Sequence, residues 1–134
     1  MDKNELLLQE GKRFHGHLGP YLVLGLKAGM LAREQLHATP FKMKAHVTLK
    51  LEKPVSCFID GVQVSSGCTM GKRNITAAEG AGLTAVFTAD QDSLTVSVKD
   101  SILQWIASLK ITHENEEEVS RQLMDRPYEE LFDF

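Results

Sequence analysis

Two stretches of the chain gather residue types that bind metals or activate nucleophiles. One is Phe14-His15-Gly16-His17-Leu18-Gly19-Pro20. The other runs from Ser56 to Lys72 and holds both cysteines, Cys57 and Cys68. Neutral imidazole with thiolate sulfur suits zinc, nickel or iron, and a reactive site would keep one coordination position open. His15 and His17 would diverge on a helix. In an extended segment they face one side, about 6.6 Å apart at the usual strand rise, and the flanking glycines favour such a loop. In the second stretch, positions 57, 60, 61 and 64 share one helical face. Cys57 and Asp60 therefore point the same way, with Gly61 expected to leave room beside them. A small buried cysteine alone would be unremarkable, but an acid beside it is a poor choice for packing. The expected ligands are His17 and Cys57, with His15 and Cys68 as further candidates and Asp60 orienting a histidine. Lys72 is a further candidate in this stretch.

The same residues could instead make a thiol enzyme, with Cys57 as nucleophile and His17 as base. Amides of the Gly67–Gly71 loop would hold an oxyanion. That reading requires a lowered Cys57 pKa. Gly67-Cys68-Thr69-Met70-Gly71-Lys72 is one residue short of a Walker loop, and Arg73 stands where Ser or Thr is needed. A nucleotide-triphosphatase reading is rejected, and only a generic anion nest with Lys72 remains. Cys68 lies in this loop and could turn toward Cys57, which leaves a disulfide open. His37, His46 and His113 read as surface residues without a role.

The elements that must position these groups are legible from periodicity. Asp2–Gln9 reads as a helix with an Asp2/Glu5 capping box. Pro20 opens a second helix to about Leu36, in which Gly25 and Gly29 mark close packing. Lys44–Leu51 alternates as a half-buried strand. Pro54 opens the cysteine helix and Gly67 caps it. Ile75–Glu79, Leu83–Ala89 and Leu94–Val98 are strands, the last two joined by an Asp90–Ser93 hairpin loop. Ser101–Lys110 is a helix with an apolar stripe. Asn115 and Glu118 suggest a capping box for one more, ended by Pro127. The acids Glu116, Glu117 and Glu118 fit that helix's first turn through its dipole alone. The result is one α+β domain over 1–134: helix-strand-helix-three strands with a mixed sheet, plus C-terminal helices.

Composition narrows the function classes. The chain has 134 residues, 43% hydrophobic and 25% charged, which suits one globular domain. A formal net charge of -3 offers no broad nucleic-acid footprint. No apolar run is long enough for a bilayer, and the N-terminus carries acids instead of a secretory leader. A cytoplasmic location is the expectation, where two cysteines are thiols or ligands more often than a disulfide.

The three blocks His15-Gly16-His17-Leu18-Gly19-Pro20, Cys57-x-x-Asp60-Gly61-x-Gln63 and Ser66-Gly67-Cys68-Thr69-x-Gly71-Lys72 resemble, in order and spacing, the family named for the E-type subunit of formylmethanofuran dehydrogenase. The similarity runs from about Leu6 through Val98. It implies an α+β core and a metal-holding pocket lined by His15, His17, Cys57, Asp60, Gln63 and Cys68. Family members often add a C-terminal zinc finger. No cysteine follows Cys68 here, so a core-only member is expected. In the namesake complex the molybdenum or tungsten pterin chemistry belongs to other subunits, so the resemblance does not make this chain a dehydrogenase.

The favoured expectation is a metal-binding protein, with zinc ahead of nickel or iron, acting as an accessory or metal-handling partner of a redox enzyme. A homodimer is an expected assembly. A third reading is a small interaction protein whose exposed C-terminal Tyr128, Leu131, Phe132 and Phe134 dock on a partner or a second copy.

Overall fold

The computed structural model describes residues 1–134. Helix α1 spans Lys3–His15, and Asp2 caps it by accepting the Glu5 N–H at 2.8 Å. It runs past the expected end at Gln9. Gly11 does not loosen the helix. A Cβ there would meet the Leu26 side chain at 2.9 Å, so the glycine lets α1 lie close to its neighbour. Gly16 ends the helix instead, at φ 111°, a left-handed conformation that glycine adopts without strain.

Helix α2, Pro20–Leu36, is buried along nearly its whole length. Strand β1 (Met43–Leu49) follows, then helix α3 (Cys57–Ser66), capped by Gly67 at φ 77°. Pro54 lies in the turns before α3, not in its first turn, and its bond to Lys53 is cis. Strands β2 (Ile75–Glu79), β3 (Thr84–Ala89) and β4 (Asp92–Val98) lead to helices α4 (Asp100–Ser108), α5 (Glu116–Asp125) and α6 (Tyr128–Leu131). A short strand, β5 (Phe132–Asp133), ends the chain. Only Asp90 and Gln91 separate β3 from β4, so the hairpin is tighter than the four-residue loop expected, with Asp90 at φ 55°.

The sheet is mixed, in the order β2-β1-β3-β4-β5. The β1–β2 pair is parallel and the other pairs are antiparallel. Met43, Ala45, Val47 and Leu49 point inward with Ala85, Phe87, Val96 and Val98, all buried in the core, with α2 packed against β3 and β4. This is the period-two pattern of a half-buried sheet. Its other face presents Lys44, His46, Thr48, Thr84, Val86 and Thr88, exposed or half-buried.

Helices α2 and α3 meet backbone to backbone. A Cβ on Gly61 would lie 2.6 Å from Leu26 N and 2.8 Å from Gly25 Cα, and closer still to the Leu22 carbonyl. Gly61 therefore leaves no free space beside Cys57. Its missing side chain is occupied by α2.

The C-terminal segment departs furthest from expectation. Leu131 is 0% and Phe132 2% exposed, and β5 completes the sheet. These residues are core, so removing Tyr128–Phe134 would test folding, not docking. Phe134 alone remains exposed, and Tyr128 packs against the core. The Asn115 capping box does not form. The Asn115 Oδ1 instead accepts the Thr112 N–H at 2.7 Å and its Nδ2 donates to the Lys110 carbonyl. That local turn outcompetes the cap. Helix α5 buries Val119, Leu123 and Met124 in the core, and ion pairs tie it to α1. Arg121 pairs with Glu5 at 2.6 Å and Lys12 with Glu117 at 3.3 Å. The buried Lys27 of α2 donates to the Met124 and Arg126 carbonyls at the end of α5. No helix is long and apolar enough to cross a membrane.

Candidate functional site

A cavity of about 260 Å³ opens where the end of α1 meets the starts of α2, α3 and α5. Its polar lining is His15, His17, Cys57 and Glu116. Pro20, Tyr21, Pro54, Ile106 and Ile111 supply much of its apolar wall. A larger groove of about 580 Å³ runs past Met30, Arg33 and His37, but none of these polar residues reaches it.

The histidines arrive by a different route from the extended loop expected. His15 is the last residue of α1, and the left-handed Gly16 turns the chain so that His17 swings back. The ring centroids end 5.0 Å apart. His15 Nδ1 lies 2.6 Å from Asp60 Oδ2, and the His15 side chain is only 11% exposed. Asp60 sits behind His15, not in the cavity lining. His17 Nδ1 is 3.1 Å from the Leu18 carbonyl and 3.3 Å from Glu116 Oε1. Each imidazole therefore has acceptors at Nδ1. That places the ring proton there and leaves Nε2 as the nitrogen free to ligate.

Cys57 is the first residue of α3 and half-buried. A helix N-terminus favours a thiolate, but burial, and after it the Asp60 carboxylate, push this thiol up. Activation of Cys57 as a nucleophile requires the opposite shift. The Gly67–Gly71 loop is also spent on its own structure. The amide of Cys68 donates to Ser66 Oγ, that of Thr69 to Asn74 Oδ1 and that of Met70 to Gln63 Oε1.

The structure brings His15, His17 and Cys57 around one cavity with Asp60 behind them, and it does not bring the other expected residues there. Cys68 is 0% exposed, with Sγ 3.5 Å from the Met43 carbonyl, and burial pushes its thiol up. Both cysteines are free thiols. Gln63 braces the loop after α3. Lys72 Nζ donates to Thr69 Oγ1 at 3.3 Å and lies over the Phe41 ring.

The residue that sequence reasoning passed over is Glu116, only 16% exposed between His17 and His113. Three consecutive acids at one helix start exceed what a helix dipole needs, and that excess was the available signal. No group of three or more His, Cys, Asp or Glu side chains stands arranged so that it could hold a metal ion. The cavity's polar groups are two imidazoles, one thiol and one carboxylate, side-chain types that can ligate a metal, and Asp60 stands behind His15.

The family described as "FmdE, Molybdenum formylmethanofuran dehydrogenase operon" matches residues 14–133. That range begins just before the two histidines and includes every residue of the cavity. A curated relative from Archaeoglobus fulgidus, named "Probable S-adenosyl-L-methionine-binding protein", is 35% identical over 71 residues. The aligned stretch is 52% of this chain and spans only 19% of that relative's length.

Proposed function

The chain belongs to the FmdE family, and on that premise we propose that it is a metal-binding accessory protein of a redox enzyme, acting in the cytoplasm. It would hold a divalent transition metal, zinc before nickel or iron, through His15, His17 and Cys57. The observation that carries this reading is that His15, His17 and Cys57 line one cavity while the Asp60 carboxylate stands behind His15, 2.6 Å from its Nδ1. A carboxylate in that position would fix the tautomer and ring orientation of a ligating histidine.

The side chains do not yet form a group of three, so binding includes their rearrangement toward the cavity. A bound cation would act as a Lewis acid and favour the Cys57 thiolate, reversing the effect of burial. The apolar wall would restrict water at the site. The proposed partner is the redox enzyme, and self-association is checked by light scattering of the intact chain.

The test is elemental analysis of protein purified without a histidine tag. We expect about one metal per chain in the native protein and loss of most of it in His17→Ala/Cys57→Ser. Equal metal content in the two proteins would refute the assignment. A complementary result is expected from Cys68→Ser. This change removes a buried sulfur that touches only the core, so it should lower stability by about 1 kcal/mol while leaving metal content intact. Urea unfolding and the same elemental analysis read both effects.

A further inference from the structure

The open face of the sheet carries a second concavity, which shares no lining residue with the cavity of His15, His17 and Cys57. It measures about 310 Å³ and is lined by Lys44, Ala45, His46, Arg73, Asn74, Thr76, Val86 and Thr88. Its lining includes two permanent cations, an imidazole, two hydroxyls and an amide, and no carboxylate. The chain is acidic overall, yet residues 37–51 and 61–78, which supply most of this lining, contain no Asp or Glu. Charge here departs from the molecule's average.

The strands fix the outward groups. Lys44 and His46 alternate with buried Met43, Ala45 and Val47. Across the sheet, Lys44 stands opposite Thr88, while His46 lies between Val86 and Thr76. His46 Nδ1 is 2.7 Å from Thr76 Oγ1. That contact orients the ring and leaves Nε2 for another partner.

Arg73 supplies the second observation. It sits at φ 61°, a left-handed conformation unusual for a residue with a side chain. Asn74 holds the backbone there. Its side chain donates to the Pro40 and Met43 carbonyls and accepts the Thr69 N–H. The neighbouring cation Lys72 is engaged with Thr69 and the Phe41 ring, whereas Arg73 lines the concavity. A glycine would satisfy that backbone with less strain, and strain of this kind collects at binding sites.

We infer that this concavity binds a phosphate group, either free phosphate or the phosphate of a small monoester. Arg73 would grip two of its oxygens in a fork, Lys44 would add a point charge, and His46 and Thr88 would add hydrogen bonds. Val86 would underlie any organic part.

The experiment follows backbone amide shifts of the full chain by NMR during titration with inorganic phosphate and, separately, phenyl phosphate. We expect saturable shifts at residues 44–46, 73–76 and 88. Lys44→Ala and Arg73→Ala should each weaken binding about tenfold. Tighter binding of phenyl phosphate than of phosphate assigns the site to a monoester, and equal binding assigns it to phosphate itself. Arg73→Gly separates binding from folding. It should lose phosphate affinity while keeping or raising the urea midpoint. Shifts located elsewhere, or affinity unchanged in Arg73→Gly and Lys44→Ala, would overturn the inference.

Discussion

Gly61→Ala should destabilise the protein by about 3 kcal/mol, despite replacing the poorest ordinary helix former with the best. On an exposed helix the change would stabilise by about 1 kcal/mol. Here the added methyl meets the Leu22 carbonyl, Leu26 N and Gly25 Cα, all backbone atoms of α2. No side chain can rotate to make room, so the two helices must separate and the contacts beneath them loosen. Against a typical total of about 5–15 kcal/mol, that is a large fraction. Urea unfolding measures it, with Gly71→Ala as control, since a Cβ there has nothing nearer than Thr69 Oγ1 at 4.0 Å. The control should stay within about 0.5 kcal/mol of native. Equal midpoints for Gly61→Ala and the native chain would show that α2 and α3 have slack that their geometry denies. Because α3 carries Cys57 and Asp60 while α1 and α2 carry His15 and Tyr21, the same variant should also lose metal.

Asp60→Asn should weaken metal binding about 10- to 100-fold while leaving the fold intact. The amide keeps the shape of the carboxylate but not its charge, so it is a weaker acceptor for the His15 Nδ1 proton. The His15–Asp60 pair is partly exposed, and such pairs contribute little to stability. The substitution also acts on the thiol, in the opposite sense. Asp60 is, after burial, the second influence that raises the Cys57 pKa. Removing its charge should lower that pKa and speed alkylation of metal-free protein at neutral pH. Competition with a chromophoric chelator reads the first effect and iodoacetamide kinetics the second. Faster alkylation with undiminished metal affinity would leave Asp60 as a neighbour of the thiol and nothing more.

Local signals made most of the fold legible. Helix α2 runs from Pro20 to Leu36 as its sequence indicates, and β2 falls where its residues suggest. Each of those signals acts within a few residues. The misreadings share the opposite character. Gly11 reads locally as a helix end, but its role depends on Leu26 of another helix. Asn115 reads as a cap, but a competing turn to Thr112 and Lys110 takes its side chain. Leu131 and Phe132 read as a loose end because β4, with which Phe132 pairs, lies far back in the sequence.

The site divides the same way. His15, His17, Cys57 and Asp60 were singled out because motif spacing groups them in two short segments. Cys68 and Lys72 share that spacing, yet the αL turn at Gly67 sends the chain away from the cavity, and Gln63 on α3 turns its side chain to the Met70 N–H. Glu116 could not be paired with His17 from spacing at all. It reaches the cavity because Val119, Leu123 and Met124 pack α5 onto the core, and Arg121, Glu117 and Lys27 tie it to α1 and α2.

The unequal surroundings of the two sulfurs give the molecule a built-in reporter position. Cys68 is sealed in the interior, whereas Cys57 lies at the rim of the cavity. A maleimide dye or nitroxide applied to the folded wild-type chain should attach once, at Cys57. Its emission or line shape would then register anything that enters the space between the histidines, without altering a single codon.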